Sequence, residues 1–442
     1  MTERRVGGSG ALAGRGISRR EFLKIGGAGL AGAALLGAAG CGGGGGGGEG
    51  NIILAMGTDS SGTLQPLVDK FNQQNRGFKV TYREMPTDTG QFFDQLRTEF
   101  QAGASEIDVI GGDVIWPAQF AANGWILDVS DKFPKSQQQQ FLDGPIQSLT
   151  YQGKIYGVPW FTDAGMLYYR KDLLEKSGIS QPPATWDELK EMADQVSQET
   201  GTKYGFVFQG AEYEGGVCDG LEYIWTNGGD VLDGDKVVID SPESVAGLET
   251  ERSMVSGGVA PKAVSTYKET ETDPTFLNGD AVFARNWPYM YALAGTSDYP
   301  KVKPEQIEVA ALPVGEGGPL ASTLGGWNML INANTEKQDS AWEFAKWMTD
   351  TEQQKFRAVK ATILPTRKSL YEDPEIIEKI PVIRLGQEAL KNSRPRPVSP
   401  YYSDMSLKMA EQFNKNLKGD VSPEQAVKTL QDDLSAIVEQ GG

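Results

Sequence analysis

The chain has 442 residues, no histidine, and a formal net charge of −17 from 42 Lys+Arg against 59 Asp+Glu. So acidic a surface repels polyanions, which excludes a nucleic-acid partner and disfavours an anionic ligand. Without histidine there is no Ser-His-Asp or Cys-His arrangement and no His-zinc site, and neither a cofactor nor a metal is expected. A glycosidase working with two carboxylates stays open.

The N-terminal stretch reads as an export signal. Arg4, Arg5, Arg15, Arg19, Arg20 and Lys24 precede an apolar run, Ile25 to Gly40, rich in Gly and Ala. Sixteen residues at about 1.5 Å each span roughly 24 Å, short of the ~30 Å hydrocarbon core, so residues 1–40 are expected to be removed rather than to span a membrane. Ser18-Arg19-Arg20-Glu21-Phe22-Leu23-Lys24 resembles the twin-arginine export motif. Ala38-Ala39-Gly40-Cys41 resembles a lipobox in which Ala38 stands where Leu is usual. Cys41 is therefore expected to carry lipid, anchoring the protein to the outer face of the cell membrane. Residues 41–50 form the Gly-rich tether, whose average reach is about 15–18 Å. Cys218 is the second of two cysteines and is left alone, read as a small buried hydrophobe.

The remaining ~390 residues exceed what one hydrophobic core usually holds, so two lobes are expected. Asn51 to Met56 reads as a buried strand. Thr63 to Asn75 reads as a helix, with Leu64, Leu67, Val68 and Phe71 on one face. Phe78, Val80 and Tyr82 alternate as a strand. Gly90 to Ala102 is helical, and Ile107 to Ile110 is a strand running into Gly111-Gly112-Asp113. This strand–helix alternation makes a parallel α/β lobe with ligands beyond the strands' carboxyl ends. Tyr151 to Lys171 is extended and suits an interlobe crossover. Helices follow at Trp186 to Gln198 (N-cap Thr185), at Leu221 to Asn227, and at Ala341 to Met348, Glu352 to Val359, Glu375 to Leu390 and from Ser403 onward. Strands are expected at Gly201 to Phe208, Ala281 to Ala284, Ile307 to Leu312 and Leu330 to Ile331. Trp342 and Trp347 lie within an amphipathic helix and are assigned to core.

Several segments, in order, resemble the carbohydrate-binding lipoproteins of bacterial ABC importers (family 1 solute-binding proteins), most of all the trehalose/maltose-binding branch. They are Asp108 through Trp116, Phe120-Ala121-Ala122-Asn123-Gly124-Trp125, Val158 through Lys171, Phe276-Leu277-Asn278-Gly279-Asp280, Arg285 through Tyr289, Gly325-Gly326-Trp327 and Arg394-Pro395-Arg396-Pro397. Arg170 departs from the Asn or Asp common after that Tyr. The resemblance implies an α/β, two-lobed, periplasmic-binding-protein-like (type II) fold with hinge crossovers and a cleft between lobes. It also implies capture of a disaccharide or short oligosaccharide by lobe closure, delivery to the permease subunits, and no catalysis. The expected division is 51–158 plus 308–342 for one lobe and 159–307 plus 343–442 for the other. A monomer is expected, touching the membrane through its lipid only.

A sugar offers apolar C–H faces, which want aromatic plates, and hydroxyls, which want carboxylates and donors. Asp113, Asp163, Trp287, Tyr289 and Trp327, each beside Gly or Pro in expected loops, supply this mix. Asp113 would also serve as a helix N-cap, and the two tryptophans as core. Arg396 matches a sugar-binding Arg of the resembled branch, with a salt bridge as the alternative. Glu269, Gly326 and the loop residue Ser60, with Ser61 hardly separable from it, complete the candidate ligand set. The rival readings are a lipid-anchored glycosidase built on Asp113 and Asp163, and a binder of glycerol phosphate or peptide.

Overall fold

Ile52, Leu54 and Ala55 have no exposed surface, the mark of a strand covered on both faces. In the structure, a computed structural model, they lie in strand Ile52–Gly57, which pairs in parallel with Val80–Met85 and Val109–Asp113. The residues described are 50–441 except 60, 75, 235 and 381; the expected signal, Cys41 and the tether up to 49 lie outside them. Helices Leu64–Gln73 and Thr89–Gln101 make the crossovers, burying Leu67, Val68 and Phe71, and Phe92, Phe93 and Leu96. These strands sit in a seven-stranded sheet ordered Leu364–Pro365, Val158–Ala164, Ser322–Ile331, Val109–Asp113, Ile52–Gly57, Val80–Met85, with Ser393–Arg394 added beside Ser322 and Thr323.

A second sheet of four strands runs Ile307–Ala310, Met166–Arg170, Ala281–Asn286, Tyr204–Val207. Tyr168, Phe206, Phe276 and Phe283 fill its core. Beside it, Leu221, Trp225, Leu248, Met409, Phe413 and Leu430 join four helices, Glu214–Thr226, Pro242–Ser256, Tyr402–Lys418 and Pro423–Gly441, in a further apolar cluster.

Only Gly165 separates Val158–Ala164 of the first sheet from Met166–Arg170 of the second. A Cβ there would collide with Glu222 and lie 2.6 Å from Arg285 Nη2, so glycine alone lets the crossover pass this buried ion pair. Strand Ser322–Ile331 also reaches across: Thr323 N donates to Glu222 Oε1 at 2.9 Å, while Trp327 to Ile331 pair with Val109–Asp113.

Strand Ile307–Ala310 lies in the second sheet, and Phe344, Trp347 and Met348 pack in the first sheet's core. After 310 the chain changes sheets, and beyond helix Gln338–Met348 the short strands Leu364–Pro365 and Ser393–Arg394 return it to the first sheet. The expected helix Glu375 to Leu390 is two helices, Pro374–Lys379 and Val382–Lys391; Ile380, which a proline follows in the sequence, leaves the helical region at φ −129°, ψ 83°. Thr185 caps Trp186–Thr200 as expected, in a capping box with Glu188. Trp347 is buried and Trp342 packs half-buried against the same core. No helix among the described residues is long and apolar enough to cross a membrane.

Candidate ligand-binding cleft

Register brings the candidates together. Trp327 stands opposite Asp113 on one side and opposite Phe161 on the other, and Gly325 stands opposite Asp163. These positions occupy the carboxyl end of Val109–Asp113, where an open α/β sheet leaves its ligand crevice. Gly326 has φ +123°, and a Cβ there would lie 2.6 Å from Thr162 Cα. The residue must be glycine for the strands to close up around the bulge between Trp327 and Asn328. Its carbonyl accepts from Val114 N at 3.1 Å.

The two tryptophans come from different sheets. Trp327 is half-buried, stacked on Phe92 at 6.2 Å between ring centres and edge-on to Trp116 at 5.5 Å. Trp287 follows strand Ala281–Asn286 of the second sheet and reaches Gly325: a Cβ at Gly325 would lie 3.0 Å from Trp287 Cζ3 and 3.1 Å from Asp163 Cβ. The guanidinium of Arg285 lies 4.0 Å from the Trp287 ring centre. Arg285 is itself held by Glu222 at 2.6 and 2.8 Å and by Asp219 at 3.6 Å.

Burial raises Asp113 to about 6, with Arg396 opposing and Glu214 adding to the rise. Asp163 rises to about 7, again by burial, against the pull of Arg357 and with Asp113 adding to it. Arg396 is buried and ties the lobes, with Nη1 2.5 Å from Glu214 Oε1 and Nη2 3.4 Å from Asp113 Oδ1; its Nε has no hydrogen-bond partner among the described residues. Tyr402 donates to the same Glu214 at 2.7 Å. Next to this pair a crevice opens between Val114, Ile115, Ser148, Leu324, Arg396 and Val398.

Two candidates have their polar atoms already engaged. Glu269 accepts from Trp287 Nε1 at 3.1 Å and from the Tyr213 hydroxyl at 2.8 Å, which makes it a support for the Trp287 plate. The Tyr289 hydroxyl donates to Asp273 at 2.9 Å, and its ring packs on the second lobe's core. Ser60 lies outside the described residues; Ser61 is bound within its own loop to Asp59. Residue reading did not single out Arg285, Glu214, Tyr213 or Phe161. Arg285 and Phe161 lie inside the resembling segments, while Glu214 and Tyr213 join the cleft only through the fold. No cluster able to hold a metal occurs among the described residues.

A two-lobed α/β scaffold with aromatic plates and carboxylates at a sheet crossover defines a class, the binding proteins that close on a small solute. The chain belongs to the bacterial extracellular solute-binding protein family, which it matches over residues 57–355, and it is the solute-binding partner of an ABC transporter, acting outside the cytoplasm. It is 34% identical over 374 residues to a probable ABC transporter-binding protein of Deinococcus radiodurans, covering 83% of this chain and 88% of that one. A maltotriose-binding protein of Pyrococcus abyssi is 24% identical, covering 73% and 74%. The maltose-bound structure of T. maritima MalE3 superposes with a TM-score of 0.82 at 40% identity, over 88% of this chain and 99% of that one. The GacH receptor of Streptomyces glaucescens shares the fold at a TM-score of 0.78 and 24% identity, covering 88% and 99%.

Proposed function

We propose that this protein captures a disaccharide or short oligosaccharide of the trehalose/maltose type and hands it to its permease without chemical turnover. The observation that carries this is the pair Trp287 and Trp327, offered from different sheets around Asp163 and Asp113. Flat rings suit the C–H faces of a pyranose, and the carboxylates suit its hydroxyls. Gly326, the free Nε of Arg396 and the loop carrying Ser60 would complete the contacts. The maltose-bound relative at 40% identity supports a sugar over a phosphate or a peptide, as does the acidic chain.

The lobes would close by hinging at the sheet-crossing segments, Gly165 and 311–321, as hinged binding proteins do. The protein would leave the cell through the twin-arginine signal and remain, as a monomer, on the outer face of the membrane through lipid on Cys41, which keeps it concentrated beside its importer. A thermal-shift screen across trehalose, maltose, sucrose, longer glucans and glycerol phosphate tests the reading, followed by product chromatography. A glucan that raises the melting temperature and is recovered unchanged supports it. A response to glycerol phosphate alone, or hydrolysis of the sugar, overturns it.

A further inference from the structure

Helix Thr351–Ala361 inverts the usual pattern of burial. Phe356 is 38% exposed, whereas Arg357, its neighbour, is 3% exposed. The guanidinium of Arg357 lies 4.0 Å from the Trp160 ring centre and 4.4 Å from that of Phe161. It forms no ion pair among the described residues. Its Nε donates to Thr63 Oγ1 at 3.0 Å, and its buried Nη1 has no hydrogen-bond partner among the described residues. Burial draws the guanidinium down to about 10 against the opposing charges of Asp59 and Asp163.

The two ring faces stabilise the buried cation in part, but a donor left without an acceptor is expensive unless something else completes its bonding. Its position says what. Phe161 stands opposite Trp327 in the sheet, Asp163 follows two residues on, and Thr63 ends the loop at the carboxyl end of Ile52–Gly57. We propose, resting on the sugar reading above, that Arg357 is a sugar-recognition residue whose terminal nitrogens donate to hydroxyls of a hexose ring seated beside Phe161 and Asp163. An Arg fork pairs with vicinal oxygens as a unit, so it selects for hydroxyl arrangement as well as adding affinity. The part of the burial cost that the rings and Thr63 leave uncompensated is then offset when sugar is bound.

The test compares wild type, Arg357→Met and Arg357→Lys by titration calorimetry with maltose and with trehalose, beside the melting temperature of each sugar-free protein. Met keeps an apolar stem beside the rings and removes the donors. We expect Arg357→Met to melt no lower than wild type yet bind at least about tenfold more weakly, with Arg357→Lys between them. Wild-type affinity retained within about twofold in Arg357→Met overturns the inference; should that variant not fold, Arg357→Lys at wild-type affinity overturns it equally. Wild type that binds neither sugar removes the sugar reading and this inference together, whereas wild-type binding with unaffected variants removes the inference alone.

Discussion

The indole Nε1 of Trp287 donates to Glu269 Oε1 at 3.1 Å, fixing the plane of a ring whose neighbours are Gly325 and Asp163. The plate is thus oriented from behind. Removing the ring should weaken sugar binding by about 1–3 kcal/mol, and Glu269→Ala, which only loosens it, by about 1 kcal/mol. Calorimetry on Trp287→Ala and Glu269→Ala, with melting temperature as a control for folding, checks the ranking. Equal affinities in all three proteins would take Trp287 out of the site.

Gly325 makes room for that plate. Its Cβ as alanine would meet Trp287 Cζ3 at 3.0 Å and Asp163 Cβ at 3.1 Å, so the ring or the carboxylate must yield by a few tenths of an ångström. Gly325→Ala should therefore lower affinity about tenfold while circular dichroism stays unchanged.

An ion pair joins the two lobes away from the candidate cleft. Lys268 Nζ lies 2.7 Å from Asp88 Oδ2, joining the helix start at Glu269 to the N-cap of Thr89–Gln101. The pair is partly exposed, so it is worth about 0.2–1 kcal/mol. Lys268→Ala should speed sugar release by about two- to fivefold in stopped-flow fluorescence, and the difference from wild type should shrink in high salt.

Protonation gives two opposite signs. In the sugar-free protein burial raises Asp163 and Asp273 to about 7, Asp113 to about 6 and Glu251 to about 8. The unfolded chain loses these protons at lower pH, so between about pH 4 and 8 the folded state holds more of them and stability falls as pH rises. Sugar hydroxyls donate to the ionised carboxylate, so binding at Asp163 should release a proton and strengthen from about pH 5.5 to 8. Melting curves against pH, and calorimetry in buffers of different ionisation enthalpy, read both signs. Proton uptake on binding would place the sugar away from Asp163.

Part of this was legible in the residues. Ile52 to Met56 and the 64, 67, 68, 71 spacing announce a parallel α/β lobe, and the segments around Asp163, Trp287 and Trp327 are ones the fold brings together. Helix Glu214–Thr226 was hidden except at its end, since residues 215–226 are all buried and leave no polar face to give a 3.6-residue period. Strand Ser322–Ile331 was read only at Leu330 and Ile331, because Gly325 and Gly326 suppress its strand signal. Without that strand the register joining Trp327 to Asp113 could not be seen. Arg357 carried no signal at all: a charged residue beside Phe356 reads as the solvent face, and the fold buries it.

Titration calorimetry of the protein with maltose and trehalose, run at several temperatures, tests the central claim most directly. One-to-one saturable binding is predicted, with a negative heat-capacity change from the covered rings and the sugar recovered intact. Absence of binding to every glucan, or steady heat from a sugar being cleaved, would contradict it.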